Sequence, residues 1–284
     1  MNNLVIGNTS QLSYYFPVEY EKTPSRCIDF EYYKDKFYDR IFLCFGENRT
    51  FLDNDESSFK FKNEKAFMDT NVFYTIELVK FFIDHCNKLI VYGTSELWNN
   101  CEGPIDVNTT ANYNSSHYIR SKGIMSLGIH DLRFNDSKYI KVIILHPFNF
   151  NSIYRTYEKI EDEFHVRKYI DFLFGKVFYS ILNEKPITIG DTYFYRDLIH
   201  PKYVVERSLL AESDEIVGSG RLTFVNDFIR TLYEKNNLKY EDFVTENNDS
   251  HPGVKRKIFY AKSLRPLYDN LLEDTLNDIN KFKK

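Results

Sequence analysis

Tyr118 and Lys122 stand four residues apart, and Thr94 closes an apolar segment upstream of them. On a helix, positions i and i+4 share a face. The lysine ammonium then lies near the phenol and favours its ionised form. A phenol tuned in this way exchanges a proton with a carbonyl or an alcohol near neutral pH. A hydroxyl at the end of a neighbouring strand, where Thr94 falls, can hold the same oxygen. These are the groups needed to reduce a ketone or oxidise an alcohol. In a chain with 22 tyrosines a lone Tyr-x-x-x-Lys carries little weight, so its meaning rests on the elements around it.

Those elements come in an informative order. Leu4-Val5-Ile6 reads as a short buried strand, followed by Gly7-Asn8-Thr9-Ser10-Gln11-Leu12-Ser13 and a helix start at Tyr14, Tyr15 and Phe16. A strand, a small-residue turn and a helix form a dinucleotide-binding opening. Of three expected glycines only Gly7 is present, with Ser10 and Ser13 in the other two places. Arg40–Phe45 is a second strand, ending before Gly46, and a helix follows over Thr70–His85 with Val72, Ile76, Leu78, Val79, Phe82 and Ile83 on its apolar face. Lys88–Tyr92 is another strand, ending at Gly93-Thr94-Ser95-Glu96. The helix carrying Tyr118 and Lys122 leads to a strand over Tyr139–Leu145, which ends at His146-Pro147-Phe148-Asn149. Near-continuous apolar strands alternating with helices predict an α/β fold, a doubly wound parallel sheet of Rossmann type. Ligands bind such sheets beyond the C-terminal strand ends, and Gly7, Gly46, Thr94 and His146 all fall there.

After residue 150 the alternation stops. Helices are expected over Phe172–Leu182, Val204–Ala211, Phe224–Glu234 and Leu267–Phe282, with a strand at Pro186–Ile189. The domains expected are a dinucleotide-binding domain over 1–150 and a smaller mixed lobe over 151–284, interleaved with the sheet.

Composition narrows the function class. With 43% hydrophobic residues over 284 positions the chain can build a core without a metal or disulfide staple. A net charge of −4 and the absence of an Arg/Lys stripe give no footprint for nucleic acid. Cys27, Cys44, Cys86 and Cys101 lack metal-binding spacing, and Cys44 and Cys86 read as small buried hydrophobes. No metal is expected. No apolar run approaches a membrane span, and the N-terminus lacks the pattern of a secretory signal. A cytoplasmic protein without membrane contact is expected, which makes the sequons at Asn48, Asn108, Asn114 and Asn135 chance matches.

With these segments in hand, the chain resembles the extended short-chain dehydrogenase/reductase family, in its nucleotide-sugar branch. Residues 7–13 look like a worn Gly-x-x-Gly-x-x-Gly turn. Gly93-Thr94-Ser95-Glu96-Leu97-Trp98 resembles the Ser-Thr-x-Glu-Val-Tyr segment, Tyr118-Ile119-Arg120-Ser121-Lys122 matches Tyr-x-x-x-Lys, and Leu145-His146-Pro147-Phe148-Asn149 is similar to Leu-Arg-x-Phe-Asn. Lys185–Asp191 followed by Arg196-Asp197-Leu198-Ile199-His200 resembles the strand, Gly-Asp turn and Arg-Asp-Phe-Ile-His motif. The likeness runs to about residue 240.

The resemblance implies Thr94, Tyr118 and Lys122 as catalytic groups. It implies Gly7, Thr9, Ser10, Gln11, Leu12, Phe45, Gly46, Tyr118, Lys122 and His146 at a dinucleotide. On the substrate side it implies Ser95, Glu96, Asn149, Lys176 and Arg196, the last at the diphosphate of a nucleotide sugar. A homodimer through the Tyr118 helix and its predecessor is implied as well. Two departures matter. The segment before Arg40 is shorter than the family pattern, as if a strand–helix unit were trimmed. Ser95 also stands where a dehydratase carries the aspartic acid that protonates the leaving hydroxyl, which disfavours 4,6-dehydration.

Two registers compete for the cofactor. If a strand ends at Cys27-Ile28-Asp29, Asp29 holds the ribose of NAD(H). If it ends at Thr23-Pro24-Ser25-Arg26, Ser25 and Arg26 face the extra phosphate of NADP(H), with Asp29 and Phe30 beside the adenine. The shortened segment favours NADP(H), and NAD(H) stays open. The expected function is NADPH-dependent reduction of the carbonyl of a nucleotide-activated sugar, in the synthesis of surface polysaccharide precursors. An epimerase with tightly bound NAD and a non-catalytic nucleotide-binding scaffold are the alternatives.

Overall fold

Six parallel strands form one sheet, and its four central strands are largely apolar on both faces, as a sheet covered on both sides requires. The strands are β1 (Asn3–Ile6), β2 (Glu21–Thr23), β3 (Tyr38–Leu43), β4 (Cys86–Tyr92), β5 (Val142–Pro147) and β6 (Glu215–Val217). Their order is β6-β5-β4-β3-β1-β2. Register pairs Val5 with Phe42, Phe42 with Ile90 and Ile90 with Ile143. The order reverses between β1 and β3, which is the switch point where such sheets bind ligands. The computed structural model describes residues 2–26, 28–47, 60–113, 116–160, 163–167, 170, 172–247, 258–262 and 268–283. Cys27 and the sequons at Asn48 and Asn114 lie outside them.

The two faces are covered differently. On one, Ile41, Leu43, Leu89, Val91, Val142 and Ile144 pack against Leu78, Val79 and Phe82 of one helix and Met125 and Ile129 of another. On the other, Phe42 meets the ring of Phe16 at 4.6 Å and that of Tyr20 at 6.4 Å. The expected helix after the first turn is a single 3-10 turn, Leu12–Tyr15. Pro17 follows at once, and a loop carrying Phe16 and Tyr20 caps the sheet in the helix's place. Burying Phe16, 2% exposed, contributes about 2–3 kcal/mol towards what a helix face would give.

Other expectations shift at their edges. The helix expected over Thr70–His85 has three parts: a π turn over Asp69–Tyr74, an α-helix over Thr75–Phe82 and a 3-10 turn over Ile83–His85. Tyr139-Ile140-Lys141 is not strand. It belongs to a 3-10 turn, Ser137–Lys141, because Asp136 caps it by accepting from the Lys138 N–H. The helix expected from Val204 starts at Pro201, a residue suited to a first helical position.

The chain divides into two compact units. The first comprises Met1–Asn99, Val107–Pro147 and Val205–Val217, and the second Asn100–Asp106, Phe148–Val204 and Gly218–Lys284. This differs from a single cut at residue 150: the first unit takes residues 205–217, including β6, from beyond the cut. The second unit packs helices Leu173–Asn183, Val225–Lys235 and Leu271–Phe282 with short strand pairs, Ile187–Gly190 beside Val244–Asn247 among them. Within it, Asp197 is buried and accepts from Ser219 N and Oγ at 2.7 Å each and from Ala261 N at 2.9 Å. Burial pushes its carboxyl up while these donors pull it down. Of the C-terminal stretch Glu246–Lys262, 248–257 lie outside the described residues. No helix among the described residues is long and apolar enough to cross a membrane.

Candidate active site

The helix His117–Asn135 begins at Ser116, whose side chain accepts from the Ile119 N–H at 3.2 Å. Tyr118 therefore sits in the first turn of a 19-residue helix, where the macrodipole favours negative charge. Its ring lies edge-on to Phe67 at 6.2 Å. One turn on, Lys122 is 5% exposed and donates to the Tyr92 carbonyl at 2.7 Å, at the C-terminal end of β4. Burial pushes its ammonium down to about 8.

Lys122 also reaches the end of β3. A Cβ on Gly46 would come within 3.2 Å of Lys122 Nζ and 3.1 Å of Asn71 Oδ1. A side chain at that position would crowd the ammonium by a few tenths of an ångström. Asn71 is a residue that the sequence reading missed. It is fully buried in the π turn, accepts from Glu47 N at 2.8 Å, and donates to Glu47 O at 3.0 Å and to Ser121 Oγ at 2.9 Å. Ser121 in turn donates to the Tyr118 carbonyl at 2.8 Å. One carboxamide thus ties the Gly46–Glu47 loop to the Tyr118 helix. The wider π turn is a frequent device at functional sites. The sequence did hold a signal: Asn71, Thr75, Leu78 and Phe82 share one helix stripe, and a polar residue on a buried stripe asks for a reason.

Thr94, 6% exposed, caps the turn Ser95–Trp98 by accepting from the Glu96 N–H at 3.3 Å. Its hydroxyl proton stays available to another oxygen. Ser95 is buried and Glu96 half-buried. His146 is buried at the end of β5, its imidazole edge-on to Trp98.

At the other end of the expected cofactor site, Gly7 has φ +108°, and a Cβ there would meet the Cys44 carbonyl oxygen at 2.6 Å. Only glycine fits. The Ser13 hydroxyl is buried inside the turn, within 2.6 Å of the Asn8 carbonyl and 2.7 Å of that of Ser10. Lys22 Nζ donates to the carbonyls of Ser13 at 2.7 Å and Phe16 at 3.2 Å. Leu12 is buried, Ser10 half-buried and Thr9 exposed. A helix N-terminus is what usually holds a pyrophosphate, and this turn has none of comparable length. Its side-chain amides suit the group instead. Asn8 Oδ1 and Gln11 Oε1 are buried without a partner among the described residues, and an amide flip would place an N–H donor at each of those buried positions.

β2 ends at Thr23, which is the register that puts Ser25 and Arg26 just past a strand end. The Ser25 carbonyl accepts from Tyr74 Oη at 2.5 Å, and Arg26 is exposed. Asp29 instead accepts from the N–H groups of Glu31 and Tyr32 and caps the turn Phe30–Tyr33, while Phe30 packs on Phe81 at 4.6 Å. Both are engaged in local structure. Phe45 lies against Tyr74 at 5.5 Å. In the second unit, Asn149 is exposed, Lys176 Nζ donates to the Thr188 carbonyl at 3.4 Å, and Arg196 donates to the Tyr195 carbonyl at 2.6 Å with its guanidinium over Phe194. No group of three His, Cys, Asp or Glu among the described residues could hold a metal ion.

No protein-family model and no curated protein matches the sequence. Solved structures do match. A UDP-N-acetylglucosamine 4-epimerase from Methanobrevibacter ruminantium M1, in complex with UDP-N-acetylmuramic acid, superposes with a TM-score of 0.74 at 16% identity, over 99% of this chain and 97% of that one. RMD from Pseudomonas aeruginosa, complexed with NADPH, gives 0.72 at 12% identity over 99% and 100%. A dTDP-glucose 4,6-dehydratase from Bacillus anthracis, in complex with NAD, gives 0.71 at 15% over 99% and 97%. The fold is that of the extended short-chain dehydrogenases/reductases. Within that fold, Thr94, Tyr118 and Lys122 stand on two segments of one unit: the cap of the turn that follows β4, and the first two turns of one helix.

Proposed function

We propose that the protein is an NADPH-dependent ketoreductase acting on the carbonyl of a nucleotide-activated sugar. One observation carries the reading: a buried lysine, held at the ends of β3 and β4 beside Gly46, one turn after a tyrosine at a helix start. A reduced nicotinamide dinucleotide, when bound, supplies the hydride. Tyr118 donates the proton to the sugar oxygen, and Thr94 donates a hydrogen bond that holds that oxygen in line. The helix N-terminus and the Lys122 ammonium stabilise the phenolate that remains. Holding the reacting atoms in contact supplies much of the rate. Asn71 keeps the Gly46–Glu47 loop and the Tyr118 helix in register. Arg26, exposed past β2, is the group proposed for the 2′-phosphate of NADPH. Arg196, Lys176 and Asn149 are proposed for the nucleotide sugar, as bound in several of the similar structures. Exposed Phe73 and Leu127 lie on the two helices expected to form a homodimer.

A thermal-shift panel of UDP-, GDP-, CDP- and dTDP-sugars, with and without NADPH, tests both ligands together. Joint stabilisation by one nucleotide sugar and NADPH is expected. Tyr118→Phe should bind NADPH as the parent does and lose about 10²–10⁴-fold in turnover; an active Phe variant refutes the assignment. Reduced-nicotinamide absorbance retained through purification, with epimerisation and no net redox change, would favour the epimerase instead.

A further inference from the structure

Gly93 and His146 interlock. A Cβ on residue 93 would meet His146 Nδ1 at 2.3 Å and Cε1 at 2.6 Å, so the imidazole fills the volume a side chain would take. The glycine serves close approach here. The imidazole also lies edge-on to Trp98, centroids 5.0 Å apart at 89°, and Trp98 Nε1 is fixed to the Thr109 carbonyl at 2.7 Å. The Thr94 backbone favours the protonated imidazole. His146 is 5% exposed, and its Nδ1 has no partner among the described residues. A buried ring nitrogen left unpaired is costly, and an apolar residue of similar size would avoid that cost. What the imidazole provides is contact with both ends of the Gly93–Trp98 segment, which carries Thr94 between them.

We propose that His146 is a positioning residue for Thr94: lodged against Gly93 and Trp98, the imidazole sets where the Thr94 hydroxyl is presented. This rests on Thr94 holding the reacting oxygen. Charge plays no part at neutral pH. Burial pushes the imidazole down to about 4; Asp214 and the Thr94 backbone oppose that, and His130 and Lys122 reinforce it. His146 acts by shape, against Gly93 and Trp98.

Trp98 is the single tryptophan of the chain, so its emission reports on the turn without any substrate. In the full-length protein, Gly93→Ala and His146→Ala should each red-shift Trp98 emission and raise its quenching by acrylamide. The double variant should recover most of the shift, because the truncated ring makes room for the new Cβ. Additive shifts would overturn the proposal. Should Gly93→Ala fail to fold, adding His146→Ala must restore folding, and failure of both overturns it too. The second measurement is NADPH consumption with the nucleotide sugar selected by the ligand panel. His146→Ala should lower kcat about 10-fold or more with KM held, yet change little in a Thr94→Val background. Equal losses in both backgrounds would show that His146 does not act through Thr94. If no nucleotide sugar turns over, the reading of Thr94 fails, and the emission cycle still decides whether His146 and Gly93 hold the turn.

Discussion

The Tyr118–Lys122 helix and the Gly7–Ser13 turn serve the two ends of one expected dinucleotide, and they are built to different standards. The first is a 19-residue capped helix whose lysine is buried and whose neighbours are bonded through Asn71 and Ser121. The second is a turn followed by four residues of 3-10 helix, closed by a serine hydroxyl and a lysine from β2. Two glycines are absent from that turn. In a full dinucleotide-binding turn, the later glycines allow a helix to pack closely on the strand and let the backbone approach a pyrophosphate. With the helix gone, the packing requirement goes with it. Gly7 survives because its own requirement, positive φ against the Cys44 carbonyl, does not depend on a helix. On the proposed reading, the end where a proton would move is built tightly, and the end where a cofactor would be anchored is built loosely.

The sharpest way to break this contrast is Lys122→Met. Turnover should fall at least 10²-fold (about 3 kcal/mol), while the protein becomes more stable. An ammonium pushed from 10.5 down to about 8 by burial corresponds to roughly 3 kcal/mol of disfavoured charge. Below pH 8 the folded protein bears that cost in full. Between pH 8 and 10.5 the unfolded chain holds a proton that the folded one has lost, so stability rises with pH across that window. Allowing for the hydrogen bond lost at the Tyr92 carbonyl, urea unfolding at pH 7 should show the variant about 1–2 kcal/mol more stable, with the gap closing towards pH 10.5. A variant destabilised at pH 7 would mean that the lysine is structural.

Gly7→Ala addresses the opposite end. The alanine must adopt φ +108° and push its Cβ against a backbone oxygen, a strain of about 1–3 kcal/mol. Unfolding free energy should drop by that amount without any ligand. Ser10→Gly, on a half-buried residue of the same turn, should change it little. Equal effects would mean that the turn is still shaped by all three family positions.

The sheet was legible because β3, β4 and β5 are near-continuous apolar runs, and the Tyr118–Lys122 spacing has one geometric meaning on a helix. Legibility failed where one residue overrides its neighbours. Asp136 turns Tyr139-Ile140-Lys141 from apparent strand into a capped 3-10 turn, and Pro17 ends what the small-residue turn seemed to start. Asn71 was passed over because a single asparagine in a helix looks like surface until its stripe is counted. β6 was missed because Glu215–Val217 is three residues long, too short for any period to show. Of the two cofactor registers, the shortened segment favoured the one ending near Arg26; β2 ends at Thr23, and Asp29 caps the turn that follows.

Arg26→Ala is the finest probe of the contrast, since it touches only the anchoring end. A charge-assisted contact to a phosphate contributes about 1.5–3 kcal/mol, less at an exposed site, and Arg26 is exposed. NADPH affinity measured by calorimetry should fall about 10-fold and NADH affinity should hold, while the turnover rate at saturating NADPH stays near that of the parent. The loss should shrink at high salt, because an exposed ion pair is screened. Equal loss for both dinucleotides would remove Arg26 from the 2′-phosphate and favour NAD(H). A fall in the saturated rate would show that the anchoring end and the proton-transfer end are coupled, against the separation that the worn turn and the intact helix imply.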